Sequence, residues 1–299
     1  MKIYSPTSTQ DFMRCQRLWA LRQMGWRSAF IGYPDVAMST GTGIHRVGER
    51  VHKHIIEHGR TSPMALSKET IALFINDGIE SATADVRARI EKGSRPLDKL
   101  EDWEQRVSDN VKRGGLAYLS SFDSIIPKDW TINEAELAFG AEDRSKEGYE
   151  GCADILITDD YGLAIADIKT KTAFKTDYYR ESFITQFRHS WQMLQYSWLT
   201  QRHYGELPKR FYLIMVEMKT KPVVSIHAYR LDPEELAAWE HTVVPVWAQM
   251  EQVEEGLAVP GIAAEHTAYG RLCPMYSACY THRLDQKTMK MDYINIKEG

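Results

Sequence analysis

Tyr149-Glu150-Gly151-Cys152-Ala153-Asp154-Ile155-Leu156-Ile157, then Thr158-Asp159-Asp160-Tyr161-Gly162, then Leu163-Ala164-Ile165-Ala166-Asp167-Ile168-Lys169 follow one another in the chain. Two apolar runs rich in β-branched residues, on either side of a turn bearing Asp and Gly, predict a β-hairpin. Side chains alternate along a strand, so Asp167 and Lys169 share one face and Ile168 the other. Asp154 joins them if its strand pairs in the suitable register. A carboxylate pair beside an ammonium is then a metal site with a cation for phosphate chemistry.

The chain has 299 residues, 43% of them apolar and 26% charged, which is enough to bury a core. No composition shift marks a boundary, so 1–299 is read as a single domain. No apolar run approaches the length of a membrane span, and Met1-Lys2-Ile3-Tyr4-Ser5-Pro6 lacks the apolar core of a secretory signal. A cytoplasmic protein without a membrane partner is expected. The net charge of -4 argues against a surface that coats nucleic acid broadly and leaves room for a local basic patch. The 4 cysteines are too few for a disulfide scaffold and read as ligands or core positions in a reducing compartment.

Upstream of the hairpin, Ser8-Thr9-Gln10-Asp11 resembles a capping box opening a helix whose buried stripe is Phe12, Cys15 and Trp19. Thr40-Gly41-Thr42-Gly43 leads into a second helix with the stripe Ile44, Val47, Val51 and Ile55. Its other face carries His45, Glu49 and His52, spaced to project together; ordinary surface or packed histidines are the alternative. Residues 62–121 read as a polar helical elaboration, broken near Gly93-Ser94-Arg95-Pro96. A strand from Ile132 to Gly140 carries Glu136, which is either a third acid near the site or a solvent-facing strand residue.

Downstream, Thr170-Lys171-Thr172 and Lys175 form a basic run, either a solvated edge or a phosphate contact. A single long helix over Phe183–His203 is expected, with Phe187, Trp191, Leu194 and Trp198 in the core and Arg188, Gln192 and Tyr196 aligned on a second face. A second hairpin follows at Arg210–Met218 and Val223–Arg230, then a helix from Asp232 to about Glu255. Cys273 and Cys279, in a loop with Pro274 and His282, look like half of a metal or cluster site, with core cysteines as the alternative.

Gly43-x-His45, Gly151-x-x-Asp154, Asp167-Ile168-Lys169 and Gln192-x-x-x-Tyr196, in this order, resemble the RecB-like branch of the PD-(D/E)XK nuclease superfamily, which includes the nuclease domains of RecB and AddB and the CRISPR-adaptation exonucleases. The resemblance implies an α/β fold: a central mixed sheet flanked by helices, a restriction-endonuclease-like core with a helical insertion before its strands. It implies a metal-dependent DNA exonuclease acting on single strands or duplex ends. His45, Asp154, Asp167 and the backbone carbonyl of Ile168 would bind Mg²⁺ or Mn²⁺, and the imidazole tilts the preference toward Mn²⁺. Lys169 would position the attacking water, Gln192 and Tyr196 would support the site or contact DNA, and Lys171, Lys175 and Arg188 are candidate DNA contacts. Some relatives hold an iron-sulfur cluster with four cysteines. Here Cys15, Cys273 and Cys279 match three positions while Gly270 stands at the fourth, so His282 or His266 would have to substitute, or the cysteines serve packing. A segment at 265–283 is expected near the N-terminal helix. The competing readings are a catalytically silent DNA-binding module partnering a recombination or replication protein, and a structural protein whose acids and lysine form surface ion pairs. Such pairs contribute only about 0–1 kcal/mol each.

Overall fold

The computed structural model describes residues 2–24, 26–28, 36–91, 102–140, 148–258, 267–268, 271–272 and 293–295. The chain runs through α1 (Pro6–Arg14), α2 (Gln16–Gln23), β1 (Trp26–Ser28), α3 (Val36–His58), α4 (Lys68–Glu91) and α5 (Trp103–Ile125). Then come β2 (Thr131–Gly140), β3 (Tyr149–Asp159), β4 (Gly162–Thr172), α6 (Asp177–Arg188), α7 (Trp191–Tyr204), β5 (Arg210–Met218), β6 (Val223–Arg230) and α8 (Pro233–Glu254). Short strands β7 (Thr267–Ala268), β8 (Arg271–Leu272) and β9 (Tyr293–Asn295) follow; β7 pairs with β8, and β9 with β1.

Strands β2 to β6 form the central sheet in sequence order. Neighbours are antiparallel except β4 and β5, which run parallel. Antiparallel strands need only a tight turn, whereas a parallel pair needs a crossover, which α6 and α7 supply. In the β3–β4 turn, Asp159 Oδ1 accepts the N–H of Tyr161 at 2.7 Å, the local side-chain bond that favours Asp in turns.

Alternate residues of β4 feed two cores. Ile165 packs with Leu156, Leu213, Trp198 and Trp247 on the face covered by α1, α2, α6, α7 and α8. Ala166 and Ile168 pack with Ile44, Val47, Tyr118 and Ile214 on the face covered by α3, α4 and α5. Burial of such side chains is the main stabilising term, at about 1.5–3 kcal/mol for each fully buried Leu, Ile or Phe. The mixed, helix-flanked sheet is the α/β arrangement the sequence predicts.

Three local expectations are corrected. The first helix is capped by Ser5, whose Oγ accepts the N–H of Ser8 at 3.3 Å, because Pro6 at the first helical position is already set for the helix. That helix ends at Cys15, which is extended at φ -160° and ψ 103°. Cys15 is buried, as expected, but as a cap: its Sγ accepts the N–H of Leu18 at 3.4 Å and starts α2. Second, α3 begins at Val36, so Gly43 lies within it and not before it. A Cβ on Gly43 would sit 2.5 Å from Val111 Cγ2 and 2.7 Å from the carbonyl oxygen of Gly78. The glycine lets the backbones of α3 and α4 touch. Third, the long helix expected at Phe183–His203 is two helices, broken at His189 and Ser190. Phe187, Met193 and Leu194 all enter the same core, so the apolar period runs across the break and hides it. Arg188 therefore ends α6, exposed, and is not aligned with Gln192 and Tyr196 of α7.

Candidate active site

The β3–β4 ladder extends from the turn to the pair Ile155–Ala166. One residue further, Asp154 Oδ2 accepts the backbone N–H of Ile168 at 2.6 Å, so a carboxylate takes the place of a strand partner for that donor. The N–H and C=O of a strand residue point to the same edge, which turns the Ile168 carbonyl toward Asp154 as well.

Two further elements meet Asp154. From α3, His45 Nδ1 lies 3.3 Å from Asp154 Oδ2. From β2, paired with β3 through Ala135–Ile155 and Leu137–Ala153, comes Glu136. Its φ is 55°, a left-handed conformation that costs on the order of 1–3 kcal/mol for a residue with a Cβ and collects at functional sites. One ligand atom from each of His45, Glu136 and Asp154 lies within 4.8 Å of the other two. Cys152 Sγ donates to Glu136 Oε2 at 3.4 Å; it lines the cleft and is half-buried.

Asp167 is 1% exposed and is held from two sides. Lys169 Nζ lies 2.8 Å from its Oδ2 and 3.1 Å from its Oδ1. Gln192 Nε2 donates to Oδ1 at 3.0 Å and to the Tyr196 hydroxyl at 3.2 Å. Gly151 makes room for this side of the site, since a Cβ there would lie 2.9 Å from Tyr196 Cε1.

Crowding of acids sets the electrostatics. Burial, reinforced by the charge of Asp154, pushes Glu136 up to about 7. Burial pushes Asp167 up to about 6 against the opposing pull of Lys169, with Asp154 adding to the rise. Burial works to raise Asp154 too, but His45, Lys169 and the Ile168 N–H outweigh it and hold this carboxyl below its ordinary value. For His45, burial favours the neutral ring, and Asp154 outweighs it to raise the pKa. An electron-rich nest of three carboxylates against one ammonium and one imidazole is a setting that a divalent cation would relieve.

His45, Glu136, Asp154, Lys169, Gln192 and Tyr196 line a cleft of about 1260 Å³ between the sheet, α3 and α4, with Met38, Thr42, Arg46 and Glu80 among its walls, and Asp167 lies buried beneath Lys169. The face expected to carry His45, Glu49 and His52 together is divided. Glu49 pairs with Arg46 at 2.6 Å and Lys53 at 2.8 Å on the cleft wall. His52 turns into the core, 1% exposed, with Nε2 2.7 Å from the Tyr118 hydroxyl, because α5 packs behind that side of α3. Lys171 Nζ sits 4.2 Å over the Phe183 ring; burial, then Lys169, lowers its pKa. Lys175 is exposed. Cys273, Cys279, His282 and His266 lie outside the described residues, as does the 265–283 segment apart from β7 and β8. Glu136 stood in the sequence as a third acid, but nothing there singled it out for the site: weak strand alternation cannot report a left-handed backbone. No described helix is long and apolar enough to cross a membrane.

A family model described as the PD-(D/E)XK nuclease superfamily matches residues 3–280. No curated protein matches the chain. Among solved structures, a candidate exonuclease from Eubacterium rectale is similar over 97% of this chain and 92% of its own, with 14% sequence identity and a TM-score of 0.47. With the family model spanning nearly the whole chain, the protein belongs to the PD-(D/E)XK nuclease superfamily.

Proposed function

We infer that this chain is a divalent-metal-dependent DNA exonuclease of the RecB-like branch. The observation that carries the reading is the meeting of His45, Glu136 and Asp154 within 4.8 Å, next to the Asp167–Lys169 pair at 2.8 Å. The donor set fits a metal. One ion with bonds of about 2.0–2.6 Å spans ligand atoms at that separation, and one imidazole with two carboxylates suits Mn²⁺ or Mg²⁺. His45, Glu136 and Asp154 would hold it, and Asp167 and the Ile168 carbonyl are the further ligands that the resemblance to the RecB-like branch implies. When bound, such an ion lowers the pKa of water and offsets charge on a phosphoryl group.

The chain's own groups do the rest. Asp154 orders the ligand set by fixing its carboxylate on the Ile168 N–H. Lys169, steadied by Asp167, presents an ammonium to the attacking water and to a phosphate oxygen, where it offsets negative charge growing in the transition state. Gln192 holds Asp167 in the orientation that keeps Lys169 in place, and Tyr196 in turn accepts from Gln192. The cleft, walled by α3 and α4, admits one strand of nucleic acid to these groups.

The test is to incubate the protein with linear and circular single-stranded and duplex DNA in Mn²⁺, Mg²⁺ or chelator. Metal-dependent loss of the linear forms with circles intact is expected. Cutting of circles would replace exonuclease with endonuclease, and no cutting in any metal would favour a silent DNA-binding module.

A further inference from the structure

The start of α6 carries a feature the site does not use. Tyr178 and Tyr179 stand there 77% and 57% exposed, edge to face with ring centroids 5.7 Å apart. Two adjacent aromatics left in water forgo the stabilisation that burial gives. Their support is braced. The Phe174 N–H donates to Glu217 Oε1 at 3.2 Å, and Arg180 reaches Glu217 Oε2 at 3.7 Å and Ser225 Oγ at 3.4 Å. Glu217 is itself buried at 2% exposure.

A continuous path joins these rings to the site. Asp167, Lys169 and Lys171 alternate on one face of β4, and Lys171 covers the Phe183 ring at 4.2 Å. Tyr179 precedes Phe183 by one turn of α6, the spacing at which helical side chains are neighbours. Two strand steps and one helical turn make the path from Lys169 to Tyr179 on the order of 15 Å. Lys175 adds an exposed cation beside it. Asp177 shares the first turn with the rings, and Glu181, which follows that turn, is paired with Arg180 at 3.1 Å. The cations thus lie on the strand side and the aromatics at its end.

We propose that Tyr178 and Tyr179 are a stacking platform for unpaired nucleobases, holding a single strand whose backbone follows Lys175, Lys171 and Lys169 into the cleft. This rests on the nuclease reading and adds the substrate class. A ring face accepts any base, while lysines supply the attraction to phosphate. Duplex bases are already stacked on one another and offer no free face, so the platform selects strands and leaves the chemistry alone.

The test is fluorescence anisotropy with a labelled oligothymidine and a blunt duplex of equal length, both in chelator, for the wild type, Y178A/Y179A and Y178F/Y179F. The alanine pair is expected to weaken single-strand binding by about tenfold or more and duplex binding by less than about twofold. The phenylalanine pair, which keeps the ring faces, should bind the single strand like the wild type. All three should show the same thermal midpoint, as exposed positions allow. A wild type that binds no single strand, an alanine pair that binds it as well as the wild type, or equal losses on both DNAs would overturn the platform. Because binding is read without metal, a protein that binds through the tyrosines but never cleaves would sink the nuclease reading alone. Cleavage with tyrosine-independent binding would sink only the platform.

Discussion

Asp154 Oδ2 is bonded to the backbone N–H of Ile168 at 2.6 Å, so the carboxylate that gathers His45 and Glu136 is fixed to the strand that carries Asp167 and Lys169. This bond joins the two halves of the site. It also links the face of the sheet covered by α3 to the face covered by α7.

The crowding of carboxylates predicts how stability of the metal-free protein follows pH. Burial, with Asp154, raises Glu136 to about 7, and burial raises Asp167 to about 6. Both folded-state values lie above the unfolded ones, so the stability these groups contribute is complete below about pH 4 and is lost as pH rises through 6 and 7. Glu136→Gln should therefore raise the unfolding free energy at pH 8 by about 1–3 kcal/mol, with the gain vanishing toward pH 4. Denaturant unfolding in chelator across this range is the measurement, and parallel curves for the two proteins would contradict the electrostatics.

Among the described residues, Gln192 hydrogen-bonds Asp167 and the Tyr196 hydroxyl. Gln192→Ala should slow cleavage by about 10–100-fold, the usual cost of removing a group that orients a catalytic one, while DNA affinity in chelator stays within about twofold. Single-turnover rates beside anisotropy separate the two; an equal loss in both would make Gln192 a DNA contact instead.

His52 and Tyr118 form a buried pair at 2.7 Å, and burial pushes His52 down to about 3. A folded pKa below the unfolded value means that stability is complete above about pH 6.5 and falls as pH drops toward 3. Tyr118→Phe should cost about 1–3 kcal/mol by leaving the ring nitrogen without its partner, whereas Tyr118→Phe with His52→Leu removes both polar groups and should recover most of that loss. Urea melts at pH 7 and pH 5 check this, and the double variant should lack the acid sensitivity.

Gly43 and Gly78 face each other where α3 crosses α4, a Cβ on Gly78 lying 2.6 Å from the Gly43 carbonyl oxygen. Gly43→Ala should destabilise by about 1–3 kcal/mol, the cost of forcing packed elements apart, against a gain of roughly 0.5–1 kcal/mol from helix propensity. A thermal midpoint equal to or above the wild-type value would show that the helices can separate freely.

The strands were legible because both hairpins alternate or run apolar between turn residues, and a carboxylate at 167 with a lysine at 169 must share a face whatever the tertiary context. Asp154 could be placed beside them only through register, which sequence does not give. Glu136 was visible as an acid yet not as a site residue, because its φ of 55° depends on how β2 and β3 cross. The break at His189 and Ser190 was hidden for the opposite reason: both helices bury the same stripe, so periodicity continued where the backbone did not. Gly43 read as a residue leading into the helix, and its partner, Gly78 on α4, lay in a stretch whose composition suggested only a polar helical elaboration.

The most direct test is the rate at which linear single-stranded DNA is degraded in Mn²⁺ by the wild type, Asp154→Ala and Lys169→Ala measured side by side. Degradation by the wild type that chelator abolishes is expected, with a loss of about a hundred- to a thousandfold in either variant, the scale of removing a group that stabilises charge in a transition state. Degradation that persists in chelator, or that either variant retains near the wild-type rate, would contradict the metal-dependent mechanism.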